Sequence, residues 1–290
     1  MIYFATFIIL SMFAILHDII KIRSGRNFTF FLSLVMLVCL SGFRYKVGGD
    51  TYNYMYYHTL LPDLGSLFSA EVGISKFQPL WLLLIAVSKS ISNEFYVVQF
   101  LHAIILNTVV FKLARQYSAY SHTAILFYFF TIYPYFNFEI MRESLSIAFF
   151  LVSVKYYMAN RWTRYYFLVT VAFLFHISAI ILFLLPVMKK LNVRKKYLPF
   201  IFVVSAFLNP VFLNILDNPV LVNLLGWLIG YTTNNYTLWG LASISIVYLL
   251  WPLAIVTLSA NVLKSKSPLL ELAHKGLLVA ALAPLFYIFL

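Results

Sequence analysis

Three groups of residues in this chain have the types and spacing for chemistry. The first is Arg44-Tyr-Lys-Val-Gly-Gly-Asp-Thr-Tyr-Asn-Tyr-Met-Tyr-Tyr-His58, which gathers Arg44, Lys46, Asp50, His58 and five tyrosines into fifteen residues. Gly48-Gly49 permit a tight turn and a close approach of backbone to ligand just before Asp50. A helix starting near Asp50 carries Asn53, Tyr54 and Tyr57 on one face, at offsets of three, four and seven. A carboxylate in that place can act as general base on a sugar hydroxyl, and tyrosines such as Tyr52, Tyr54 and Tyr57 can hold sugar rings. The plainer alternative for Asp50 is an N-cap on an interfacial aromatic helix.

The second group is Pro134-Tyr-Phe-Asn-Phe-Glu-Ile-Met-Arg-Glu-Ser144. Helical spacing would set Glu139 against Arg142 and Glu143. An arginine here can bind pyrophosphate bidentately, whereas the plainer alternative is a self-satisfied ion pair at headgroup level. The third group is Phe173-Leu-Phe-His-Ile-Ser-Ala179, where His176 falls near the middle of a long apolar run. It either faces a cavity or is a structural histidine bonded to a serine such as Ser178. Asp18 reads as a local ion pair with Lys21, and His17, His102, His122 and His274 read as structural. No histidine, cysteine and acid spacing matches a zinc site, and no phosphate-loop or dinucleotide motif occurs.

The elements that must position these groups are set by composition. The chain is 63% hydrophobic and 10% charged, with 29 Phe and 21 Tyr. Its mean hydropathy is +0.90. That excludes an ordinary soluble domain. Continuous apolar runs on the bilayer length scale predict an all-α, polytopic helical bundle of about nine to ten hydrophobic segments, a single membrane domain over 1–290. The runs are 2–20, 28–43, 77–88, 95–113, 123–136, 140–158, 165–188, 197–216, 239–259 and 276–290. Residues 44–76 form an outer-side loop with an interfacial helix, and 218–239 reads as an interfacial helix and loop. The run at 2–20 reads as a retained span, because no basic region precedes it. The single cysteine, Cys39, lies inside a run and rules out a disulfide framework.

The net charge of +12 is a membrane signal and not a nucleic-acid one, because the basic residues sit mainly in short loops. Lys21, Arg23 and Arg26 place the 21–27 loop in the cytoplasm, which puts Arg44–His58 outside. Full crossings everywhere would strand Lys112, Arg115, Lys155, Arg161 and Arg164 outside as well. One net crossing over 77–113, and a re-entrant hairpin of two half-helices over 165–188, return them to the cytoplasm. The same arrangement puts Arg142 on the face of Asp50.

Three segments together resemble the EpsG family of exopolysaccharide proteins, which groups with the Wzy-type polymerases of O-antigen and capsule. They are Arg44-Tyr-Lys-Val-Gly-Gly-Asp-Thr-Tyr-Asn-Tyr54, Met141-Arg-Glu-Ser-Leu-Ser-Ile-Ala148 and Phe175-His-Ile-Ser-Ala-Ile-Ile181, and the resemblance covers roughly Ser41 to Lys190. Beyond about Lys196 no further motif of the family is legible. The layout is similar, more distantly, to GT-C type membrane glycosyltransferases, which carry an acid in the first outer loop and contain half-spanning helices.

The resemblance implies a multi-pass protein of the bacterial inner membrane that joins oligosaccharide repeat units carried on undecaprenyl pyrophosphate. Asp50 corresponds to the outer-loop acid and takes the role of base. Arg142, Arg44 and Lys46 hold the pyrophosphate, His176 orients a sugar or relays a proton, and Glu139 and Glu143 stand beside them. No cofactor or metal is required if cations neutralise the departing pyrophosphate. A chain-length regulator protein is an expected partner. The rivals are a membrane acyltransferase and a flippase for lipid-linked sugars. A flippase needs charge along its whole cavity depth, whereas here charge gathers at span mouths.

Overall fold

A computed structural model describes residues 1–67 and 77–190, with the isolated positions 197, 200–201 and 204. The apolar runs expected at 197–216, 239–259 and 276–290, and the segment 218–239, lie outside the described residues. Within them every element is helical and no strand occurs.

Among the described residues, two elements are long and apolar enough to cross a membrane. Helix α1 (Ile2–Ala14) continues through a π-helical turn (Ile15–Ile19), and α5 (Phe95–Tyr117) runs for 23 residues. At 1.5 Å per residue α5 is about 34 Å long, against about 30 Å of hydrocarbon. Helix α2 (Arg26–Gly42), α4 (Pro79–Ile91) and α8 (Trp162–Phe175) are apolar but shorter. Between them lie α3 (Thr51–Leu60), α6 (Ser121–Thr131) and α7 (Met141–Met158). A 3-10 stretch (Ile177–Leu184) and α9 (Leu185–Lys190) close the described part.

The chain gathers into two compact units. The first comprises residues 1–152 and 174–176. In it α2 packs along α5, and α1 packs along α6. Leu10, Phe30, Leu37, Phe111, Ile125 and Tyr133 meet in its core. Gly42 lets α2 approach α5 closely, since a Cβ there would fall 2.5 Å from the Phe100 ring. A buried polar knot crosses this apolar core. Asn107 donates to Asn137 Oδ1 at 3.1 Å, and Asn137 donates to the Tyr128 hydroxyl at 3.1 Å. Tyr128 in turn donates to Asn107 Oδ1 at 3.1 Å, closing a ring of three. Burial makes such partners obligatory, so the knot fixes one arrangement of α5, α6 and the turn at 135–139.

The ends of this unit differ in chemistry. Arg115 at the end of α5 donates to Asn27 Oδ1 at 3.0 Å, so it shares an end with the basic 21–27 loop. Helix α2 separates that end from Arg44 by about 26 Å. Helix α4 stays at the Arg44 end, because its two ends both lie near α3. The Trp81 ring meets Tyr54 at 5.6 Å, and Lys89 Nζ donates to the Leu61 carbonyl. The α4–α5 pair therefore runs once along the unit.

The second unit comprises residues 153–173 and 177–290, of which 153–173 and 177–190 are almost wholly described. The chain breaks at His176, between α8 and the 3-10 stretch. It then turns back, because the Tyr165 hydroxyl donates to the Leu182 carbonyl at 2.6 Å and the Tyr166 and Phe183 rings stack at 6.0 Å. In a continuous helix Tyr165 and Leu182 would lie about 25 Å apart. The chain therefore reverses between α8 and the 3-10 stretch. Lys189 closes the open end of this reversal by donating to Asn160 Oδ1 at 2.8 Å.

Cysteines at Tyr166 and Phe183, in a Cys39→Ser background, should be joined readily by a short bis-maleimide reagent. A Trp162 and Phe173 cysteine pair, roughly 16 Å apart along α8, gives the background level. No cross-linking above that level would mean that the run is not folded back.

Candidate functional site

The site is built on the eight residues, 43–50, between α2 and α3. Gly48 has φ +107°, a left-handed backbone that favours glycine, and a Cβ there would lie 2.6 Å from the Phe138 carbonyl oxygen. The loop can therefore lie flat on the turn at 135–139. Glu139 then spans the gap. Its Oε1 accepts from the Gly49 amide at 2.8 Å, and its Oε2 accepts from the Asp50 amide at 3.1 Å. Thr51 adds a bond from its hydroxyl to the Val47 carbonyl at 2.6 Å and lies 3.4 Å from the Phe138 carbonyl. Glu139 had been expected to pair along a helix with Arg142 and Glu143. The helix begins only at Met141, after a break at Ile140, so Glu139 points its carboxylate to the loop instead.

Arg44 also departs from expectation. It is 4% exposed, and its guanidinium donates to the Val47 carbonyl at 3.2 Å, to the Ser41 carbonyl at 3.2 Å and toward Met141 Sδ at 3.3 Å. It lies over the Phe138 ring, 5.0 Å from its centroid. Burial lowers the guanidinium to about 10, partly offset by Tyr133, Tyr3 and Glu139, so it stays charged at neutral pH. The residue anchors the loop from below, and its donors are turned into the protein and not toward a pyrophosphate. Lys46 remains outside as a surface cation, over the rings of Tyr45 at 5.2 Å and Tyr52 at 5.6 Å.

This scaffold leaves the Asp50 carboxylate exposed. Asp50 stands at the N-cap position of α3, yet its side chain makes no capping bond. The N-cap alternative therefore explains its position but not its carboxylate. Along α3, Tyr54 turns inward onto Trp81, beside Arg142. Burial raises the Tyr54 hydroxyl above its ordinary value, and the Arg142 charge offsets part of that rise. Tyr57 packs edge-on against Phe77 at 4.9 Å. Tyr52 and Asn53 face solvent.

Arg142, in the first turn of α7, donates to Gln78 Oε1 at 3.2 Å and lies 5.5 Å from the Phe77 ring centroid. His176 lies within electrostatic reach of it, as does Glu143. The Phe175 ring stacks on Phe149 of α7 at 5.4 Å, which holds the break at His176 against that helix. Asp50, Tyr54, Arg142, Glu143 and His176 are thus gathered at one end of the first unit, although they come from three separate stretches of sequence. Such a site can take a proton at an exposed carboxylate and hold an anion at a cation set between aromatic walls.

Three supporting residues escape sequence reasoning. Gln78, directly before Pro79 of α4, is fully buried and holds Arg142. Ser144 bonds His102 Nε2 at 2.9 Å, which pins the first turn of α7 to α5. His102 is accordingly structural, as its position at a span suggested. Tyr135 shares the neighbourhood of Glu143, Glu139 and Asp50. No spacing rule marks these residues, because their partners lie on other helices.

The sequence model of the EpsG family matches residues 27–290. The match extends through the C-terminal third, where no family motif was legible by eye. No curated protein and no solved structure matches the chain.

The carboxylate clamp should show in amide exchange. Glu139→Ala should speed hydrogen exchange at the Gly49 and Asp50 amides by about tenfold, the value of about one to two kcal/mol for charge-assisted bonds. Unchanged exchange at those two amides would remove the clamp.

His58 supplies a pH test. Burial, with Lys89 nearby, lowers its imidazole to about 4. The unfolded group titrates near the ordinary value of about 6.5. Its contribution to stability is complete above pH 6.5 and is lost as pH falls toward 4. Wild type should therefore lose more thermal stability between pH 7 and pH 4.5 than His58→Gln does. Equal losses would mean that His58 is not buried neutral.

Proposed function

The chain belongs to the EpsG family, a family of Wzy-like polymerases, and on that premise we propose that it joins lipid-linked oligosaccharide repeat units at the outer face of the bacterial inner membrane. The family membership supports polysaccharide polymerisation in a membrane. The observation that carries the finer reading is the exposed Asp50 carboxylate, held by a clamped loop at the same end as Arg142 and His176.

In this proposal the acceptor sugar hydroxyl approaches Asp50. Its O–H bond breaks as the carboxylate takes the proton, and its oxygen forms a bond to the anomeric carbon of the donor chain. The bond from that carbon to the undecaprenyl pyrophosphate oxygen breaks, and the pyrophosphate leaves with the electron pair. Arg142, and Lys46 from the rim, face the charge that develops on the leaving group. Glu143 sets the orientation of Arg142. His176 positions a sugar or relays the proton from Asp50 to water. The tyrosine-rich surface of Tyr52, Asn53, Tyr54 and Tyr57 receives the sugars, and Arg44 and Glu139 hold the loop. The polytopic bundle embeds this site at the headgroup level, and a chain-length regulator would bind elsewhere on the assembly.

Deleting the gene in its host should leave surface lipid anchors bearing single repeat units, whereas a flippase defect would leave none. Complementation with Asp50→Asn should lower polymer yield by about a hundredfold or more, the usual scale of a general base. Arg142→Ala should lower it by about a hundredfold, with Arg142→Lys intermediate. Both proteins must be shown at wild-type level in the membrane. Full-length polymer from Asp50→Asn would sink the base assignment.

A further inference from the structure

The end of the first unit opposite Asp50 carries a second set of polar residues that the polymerisation reading does not use. Two clefts open there, of about 240 Å³ and about 210 Å³, and both are lined by Arg26. Arg115, Ser118 and Ser121 line the larger one, and Lys21 and Arg23 line the smaller. Between them lies a buried core of His17, Asp18 and His122.

The charges in this core do not cancel. Asp18 is fully sequestered. Its Oδ2 accepts from the Thr123 amide at 2.7 Å, and its Oδ1 lies 3.6 Å from Arg26 and 3.7 Å from His122. The expected pair with Lys21 is not the one formed. The linings of the two clefts thus hold one carboxylate, Asp18, against four cations, Lys21, Arg23, Arg26 and Arg115. Among the described residues, the side chains of Lys21 and Arg23 have no hydrogen bond or ion pair. Two buried histidines lie beside this carboxylate. His17 and His122 stack at 4.8 Å and are 6% and 3% exposed. His17 Nδ1 is bonded to the Ile22 carbonyl at 2.7 Å and His122 Nε2 to the Thr29 hydroxyl at 3.2 Å. His122 Nδ1 faces Asp18 Oδ1 at 3.7 Å, and His17 Nε2 is buried without a hydrogen-bond partner. The backbone is also held in an unusual form here, with Lys21 at φ +65°.

We infer that these two clefts, on either side of Arg26, are a binding site for a phosphate-bearing anion. Arg26 and Arg115 present fixed forks to the larger cleft, Lys21 and Arg23 close over the smaller, and Ser118 and Ser121 add hydroxyls. Each cleft has room for a phosphate group. The chemistry suits either the phosphodiester headgroup of an anionic membrane lipid or a free phosphate. The site is about one α2 length, some 26 Å, from Asp50, so it is separate from the proposed reaction centre.

The test uses the full-length protein, purified in detergent and in nanodiscs. One arm measures the thermal midpoint while inorganic phosphate and pyrophosphate are titrated. The other compares retention of phosphatidylglycerol and phosphatidylcholine by native mass spectrometry. Arg23→Ala should weaken binding by about fivefold, and a further Lys21→Asn, which tolerates the left-handed backbone, by about fivefold again. Lys112→Ala removes an exposed α5 cation that lines neither cleft, and should change nothing. Preferential retention of phosphatidylglycerol that Arg23→Ala reduces identifies a lipid headgroup. Stabilisation by phosphate with no lipid preference identifies a free anion. The inference is overturned if neither anion binds, or if Lys112→Ala weakens binding as much as Arg23→Ala.

Discussion

The bond pair from the Gly49 and Asp50 amides to the Glu139 carboxylate is the interaction on which the site depends. A loop between two helices has many conformations, and ordering it costs entropy in proportion to its freedom. Here one side chain, ninety residues away in sequence, removes that freedom by taking two successive amides. The clamp works because Gly48 lets the loop lie against the Phe138 carbonyl without a Cβ in the way. Arg44 supports the loop from the other side, through the Val47 carbonyl and the Phe138 ring. With its amide held, Asp50 has its carboxylate left over, and that is the group available for chemistry.

The same economy extends to Arg142. An arginine at the mouth of an apolar helix is costly unless its fork is placed and its charge compensated. Gln78 and Phe77 place it, Glu143 and Tyr54 share its field, and His176 completes the neighbourhood. The break at His176 has a physical role in this. The stack of Phe175 on Phe149 keeps that break next to α7. Beneath these groups, the ring of Asn107, Asn137 and Tyr128 holds the turn that carries Glu139. The polar knot in the core and the polar site at the surface are therefore one continuous piece of structure.

Much of this was legible from residue types. Periodicity and composition pointed to helices, and the described residues contain only helices. The three motif segments named the family, whose match runs to residue 290. The charge distribution separated a basic loop end from an Asp50 end. Each of these signals is local, or is a sum over many residues, and such signals survive in a linear text.

What the sequence by itself determined is therefore the material: apolar helices of given lengths, a glycine turn before an acid, an arginine and a histidine at helix breaks. Only the tertiary structure decided how those parts are used. It turned Arg44 inward as an anchor, gave Glu139 to the loop and not to Arg142, and paired Asp18 with Arg26 and His122 in place of Lys21. It also recruited Gln78 and Ser144, which no spacing rule marks. The reason is physical. A charged or hydrogen-bonding side chain in an apolar surrounding goes to whichever partner the packing brings within about 3 Å, and packing is set by helices far apart in the chain.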